Sequence, residues 1–124
     1  MSLEKILAFQ VRETDLQKLK GISASMRIKL VVIDKVDFRQ TVNDLLSQKK
    51  NSLVEPYNGQ ITESMLLLHE FSDKRLDALL KALRREQVKV DFKAVTTKTN
   101  IKWTVLQLFF EMEKERKAYL QMNQ

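Results

Sequence analysis

The chain has 124 residues, 22 Lys and Arg against 16 Asp and Glu, and a formal net charge of +6. That length suits one domain able to bury about two thirds of its unfolded surface, so neither a disulfide nor a metal is needed for folding. The absence of cysteine excludes a disulfide framework, a thiolate metal site and a cysteine nucleophile. Interspersed charges of both signs describe an ordinary solvated surface more than a polyanion-binding one.

The segment Met1-Ser2-Leu3-Glu4-Lys5 lacks the basic-then-apolar plan of a signal peptide. The longest apolar runs, Leu30 to Ile33 and Met65 to Leu68, fall far short of the roughly twenty residues a membrane span needs. A cytoplasmic protein with no membrane partner is expected.

Apolar positions recur at an offset of sixty, pairing Leu7 with Leu67, Leu16 with Leu76, Leu19 with Leu79, Ile28 with Val88 and Val32 with Phe92. The register then slips by three, so that Val42 meets Val105 and Leu45 meets Leu108. This predicts a single domain over 1–124, with an internal repeat of 5–47 and 64–112 joined by a linker at 48–63. The linker holds the one proline, Pro56, and Gly59, and is expected to be the most mobile stretch.

Each half reads as strand, helix, strand, helix. Ile6–Val11 and Met65–Phe71 are apolar runs of the kind covered on both faces. Amphipathic helices follow, one opening near Thr14 and the other capped by Ser72. Lys29–Asp34 and Val88–Thr96 are the second strands, and the charged alternation of the latter places it at a sheet edge. Asp37 and Gln40 have capping-box spacing ahead of Val42, Leu45 and Leu46. The last helix is expected from Thr99 or Asn100 to about Met122, with Ile101, Val105, Leu108, Met112 and Tyr119 on one stripe. It overreaches a four-stranded domain, so its charged end, Glu113 to Lys117, is expected either to protrude or to pair with another subunit in a homodimer.

These elements predict an α/β fold, a duplicated β-α-β-α unit. Its four-stranded parallel sheet would have the order 2-1-3-4 and helices on both faces. The alternative is a ferredoxin-like α+β sandwich with added helices.

The most distinctive segment runs Lys93-Ala94-Val95-Thr96-Thr97-Lys98-Thr99-Asn100-Ile101-Lys102-Trp103. Its Lys93, Ala94, Thr96 or Thr97, Asn100 and Trp103 resemble the K-A-x-x-T-x-x-N-x-x-W signature of a family of small uncharacterised bacterial proteins carrying a domain of unknown function. Phe71-Ser72-Asp73 and Leu76-Asp77-Ala78-Leu79-Leu80 share the resemblance, which covers Met65 to Leu108. The resemblance implies no activity, substrate or cofactor.

Three candidate sites follow from the residues. Helix N-terminal amides beside Lys98, Thr96, Thr97, Thr99 and Asn100 suit a phosphate or carboxylate of an anionic metabolite or nucleotide. The competing account makes Thr99 or Asn100 a helix cap and Trp103 a packing anchor. Arg12, Glu13, Ser72 and Asp73 would line the cleft at the switch point of a parallel sheet. Lys81, Arg84, Arg85 and Lys89 form a basic cluster suited to weak nucleic-acid binding, or simply to complementing a helix dipole.

His69 is the single histidine, and adjacent strand residues point to opposite faces, so it is not expected to pair with Glu70. No metal site, catalytic set, phosphate loop or dinucleotide fingerprint is present in the sequence, and no cofactor is expected. A non-enzymatic regulatory or protein-interaction domain is the leading expectation.

Overall fold

The computed structural model describes residues 3–122; Met1 and Ser2, part of the N-terminal segment read above, lie outside the described residues. The chain forms two compact units. One comprises the chain up to Asp34 together with Gln60–Thr96, the other Lys35–Gly59 together with the chain from Thr97 onward.

The first unit holds β1 (Lys5–Phe9), α1 (Glu13–Met26), β2 (Lys29–Ile33), β3 (Met65–His69), α3 (Asp73–Arg85) and β4 (Phe92–Val95). The strands form one sheet of order β2-β1-β3-β4. β2 runs parallel to β1 and β4 parallel to β3, as helical crossovers of this length require. The central pair β1/β3 is antiparallel, however, so the sheet is mixed and corrects the expectation of an all-parallel one. The alternative of a ferredoxin-like antiparallel sheet fails equally, because both outer pairings are parallel. Helical crossovers fix direction only within each βαβ; between Ile33 and Met65 the chain makes no single helical crossover, so nothing imposes parallel pairing there.

On one face of the sheet, Ile6 and Ala8 of β1 and Leu66 and Leu68 of β3 pack with Leu19 and Ile22 of α1 and Leu79, Ala82 and Leu83 of α3. Leu7, Phe9, Met65 and Leu67 point to the other face and are also buried. Burial on both faces accounts for the unbroken apolar runs that mark these two strands in the sequence.

The features of each βαβ recur at the same spacing. Left-handed residues fall at Gln10 (φ 54°) and Glu70 (φ 65°) after the first strands, and at Arg27 (φ 59°) and Gln87 (φ 56°) after the helices. Ile28 N–H donates to Ser23 C=O at 2.8 Å and Val88 N–H to Leu83 C=O at 2.9 Å, closing both helices with one type of turn. In the sheet, Leu7 sits opposite Leu67, its own counterpart at the offset of sixty. The register slip comes earlier than the sequence suggests. Lys5 pairs with Lys29 and Met65 with Phe92, so the extra three residues lie ahead of β4, which begins at Phe92 rather than Val88.

Cross-links tie the helices to the opposite half. Arg75 of α3 donates through Nε and Nη2 to the Glu4 carboxylate at 2.9 and 2.6 Å, and through Nη2 to Met26 C=O at 2.7 Å, where α1 ends. Asp15 of α1 accepts from Lys89 N–H at 3.1 Å, just beyond α3.

The second unit contains a 3₁₀ turn (Lys35–Asp37), α2 (Val42–Leu46), a second 3₁₀ turn (Asn100–Lys102) and α4 (Val105–Met122). Asp37 does not cap α2 as its spacing with Gln40 predicts; it lies in the 3₁₀ turn, and Thr41 caps the helix by accepting from Asp44 N–H at 3.1 Å. Thr104 caps α4 in the same way, accepting from Gln107 N–H at 3.1 Å. Thr41 and Thr104 face each other in an antiparallel bridge, flanked by reciprocal bonds from Val42 N–H to Trp103 C=O and from Val105 N–H to Gln40 C=O. The Gln40 side-chain amide pins the following loop through the backbone of Asn51 at 2.9 and 3.0 Å, and Tyr57 stacks on Phe38.

Truncating the fully buried Leu67 to Ala is expected to cost about 2–5 kcal/mol in denaturant titration, because the packed seam leaves a cavity that cannot close. Thr41→Ala and Thr104→Ala are expected to cost about 1 kcal/mol each. Markedly unequal costs would show that the two caps are not equivalent.

Candidate functional site

Antiparallel pairing of β1 with β3 sends their carboxyl ends to opposite ends of the sheet. Arg12 and Glu13 therefore lie at one end and Ser72 and Asp73 at the other, so the four residues line no common switch-point cleft. This corrects the expectation drawn from a parallel sheet. Each end has its own depression instead.

At the carboxyl ends of β3 and β4 a depression of about 530 Å³ is lined by Glu70, Phe71, Ser72, Asp73, Leu76 and Thr96, among others. Ser72 Oγ is occupied as the cap of α3, accepting from Arg75 N–H at 3.2 Å. The ionisable groups among its lining residues are the carboxylates of Glu70 and Asp73, which repel anions. The depression at the other end, about 310 Å³, holds Gln10, Arg12, Ser64, Lys89 and Asp91. There Asp91 Oδ2 is engaged by Ser64 N–H at 2.8 Å and Gln10 Nε2 by Glu63 C=O at 2.8 Å, so much of its polarity is structural.

His69 lies beside the first of these depressions. Its Nδ1 is 3.0 Å from Thr96 Oγ1, and Thr96 N–H donates to Leu68 C=O at 3.0 Å, continuing the β4 ladder. Its Nε2 is 3.9 Å from Glu70 Oε1. The expectation that strand alternation separates His69 from Glu70 is thus corrected, because Glu70 leaves the strand in a left-handed conformation that brings its side chain back. Burial, the largest influence, lowers the His69 pKa from its usual 6.5; Glu70 opposes that shift and Lys5 adds to it. Among the described residues no group of three or more His, Cys, Asp or Glu side chains could hold a metal ion.

The expected anion-binding segment is used for turn formation. Thr96 lies in the first unit, bonded as above. In the second unit, Thr97 N–H donates to Asn100 Oδ1 at 2.8 Å and Asn100 N–H donates to Thr97 Oγ1 at 3.0 Å. This reciprocal cap shapes a turn at Lys98 and Thr99, both exposed, and leads into the 3₁₀ turn, not into α4. The last helix starts five residues later than Asn100, at Val105, correcting the expected start at Thr99 or Asn100. Its first four amides are all satisfied: Val105 by Gln40 C=O, Leu106 by Phe38 C=O, Gln107 by Thr104 Oγ1 and Leu108 by Thr104 C=O. Trp103 is half-buried at the break between the two helical segments.

Lys81, Arg84, Arg85 and Lys89 are exposed toward the end of α3 and beyond it. Lys81 pairs with Asp77 at 3.0 Å and Arg85 lies 3.9 Å from Glu86, which dilutes the cluster's field.

Sequence reasoning noted that the last helix overreaches the domain but missed the large apolar side chains its outer half exposes. Val105, Leu108 and Phe109 are buried, Met112 is half-buried, and every described residue from Lys114 onward is exposed. Phe110 is 67% exposed, Leu120 55% and Met122 84%. Phe110 on an outward helix position, where a polar residue belongs, was the available signal.

Comparison with known proteins bears on the C-terminal part of the chain. Residues 64–119 match the family described as a domain of unknown function (DUF3783). The match runs from the start of β3 into α4 and contains the Met65–Leu108 stretch whose residues carry the resemblance to an uncharacterised family. No curated protein and no solved structure matches the chain. No helix among the described residues is long and apolar enough to cross a membrane.

Because the folded state lowers the His69 pKa, that residue contributes stability fully above pH 6.5, and the contribution is lost as pH falls through the folded-state value. His69→Gln is expected to flatten the acid limb of stability against pH; identical slopes for both proteins would remove His69 as its source. Asn100→Ala is expected to lower stability by about 1 kcal/mol through loss of the reciprocal cap, read as a drop in melting temperature.

Proposed function

We propose that the chain is an internally duplicated, non-enzymatic protein-interaction domain whose binding element is the outer half of α4. One observation carries this reading. α2 and the start of α4 correspond at an offset of sixty-three, Val42, Leu45 and Leu46 with Val105, Leu108 and Phe109, all six buried. The α2 copy ends there after 5 residues, whereas α4 runs for 18. Phe110–Met122 is an addition to the repeat, and no described residue of it is buried. At 1.5 Å per residue the addition is about 20 Å of helix. An exposed helix of that length is marginal alone and gains stability when its apolar side chains are covered.

A photo-crosslinking residue placed at Leu120, with one at Lys50 as control, tests the reading in cells. Adducts to protein, to this chain or another, are expected from position 120 and not from position 50. If position 120 yields no adduct while the protein is folded and abundant, the outer half of α4 is not a binding element.

A further inference from the structure

We infer that the partner covering the outer half of α4 is a second copy of this chain, packed antiparallel through Phe110, Glu113, Lys117 and Leu120. This rests on the reading of that segment as an interaction surface and names its occupant. The four residues are spaced i, i+3, i+7 and i+10, which places them on one stripe of the helix. Read along the chain, the stripe is apolar, acidic, basic, apolar. Reversed, as an antiparallel neighbour presents it, it is apolar, basic, acidic, apolar. A two-fold axis passing level with Glu115 therefore brings Phe110 against Leu120 and Glu113 against Lys117 of the second copy, and the same two contacts recur on the other side of the axis.

A parallel pairing would set Glu113 against Glu113 and Lys117 against Lys117, which like-charge repulsion disfavours. The exposures fit this use: Phe110 is 67% and Leu120 55% exposed, although both are apolar. Glu113 already lies against Arg116 of its own helix, a contact that holds its carboxylate on the helix surface and still leaves lone pairs for Lys117 of the second copy. From Phe110 to Leu120 the contact spans about 15 Å of helix, so the interface is smaller than a standard stable one and the dimer is a weak one.

Sedimentation equilibrium from low micromolar to millimolar protein, on the full chain, tests this. The unaltered protein is expected to dimerise reversibly. Glu113→Lys and Lys117→Glu should each weaken the dimer about tenfold, since each turns two attractive contacts into repulsive ones. The double exchange Glu113→Lys with Lys117→Glu should return the affinity to within a few-fold of the original. Phe110→Ser should weaken the dimer without changing the melting temperature of the monomer, because the side chain is exposed.

A protein that stays monomeric at every concentration overturns the inference. So does a dimer indifferent to all four variants, which would lie on another surface. A dimer weakened by both reversals but not recovered by the exchange overturns the antiparallel register. Crosslinks from position 120 to a different protein, combined with a monomer in the centrifuge, would sink the self-association and leave the interaction reading standing. No adduct at all would remove both.

Discussion

Ile6, Leu7, Ala8 and Phe9 of β1 lie opposite Leu68, Leu67, Leu66 and Met65 of β3, and side chains from both faces of this antiparallel seam are buried. Among the described residues the seam is the one direct strand pairing between the first βαβ and the second, since β2 and β4 each pair within their own half. Its direction decides what else in the unit is possible. Antiparallel pairing of the central strands carries α1 and α3 in opposite directions over the same face. The start of each helix then meets the end of the other, where Arg75 and Asp15 make their bonds. It also separates the two loops that a parallel sheet would bring together, so no shared crevice forms.

The apolar runs of the central strands, the amphipathic faces of α1 and α3, the strand order and the edge position of β4 were legible in the sequence because each leaves a local pattern. Leu19, Ile22, Leu79 and Leu83 recur at helical spacing and are buried, as that spacing demands. The direction of β1 against β3 left no such mark. A strand buried on both faces is apolar throughout, and reversing its partner changes neither composition nor periodicity. Glu4 and Arg75 are separated by seventy-one positions, so their bidentate contact has no sequence signature at all.

The motif that looked most like a site illustrates a different limit. Thr97 and Asn100 have the spacing of a reciprocal cap, and they form one, yet the structure they open is a 3₁₀ turn of three residues. Capping chemistry identifies where a chain turns inward but not how long the helical segment that follows will be. The amides that an anion would need at the start of α4 are taken by Gln40, Phe38 and Thr104, two of them from a segment more than sixty residues away. Likewise, Phe110 stood in the sequence beside the buried Phe109, and only the separation of their faces in α4 distinguishes a core phenylalanine from a surface one.

A seam in which Leu7 meets Leu67, one apolar run against another like it, has a further consequence for how separate molecules behave while folding. To an incoming strand, β1 of any copy offers nearly the same apolar strip as β3 of the correct one. Specificity for the intramolecular pairing then comes from the tether, which holds the two halves of one chain at an effective concentration in the millimolar range. Refolding at dilution favours closure within a chain. In concentrated solution that preference weakens, because strands of neighbouring copies compete with the tethered half for the same leucines.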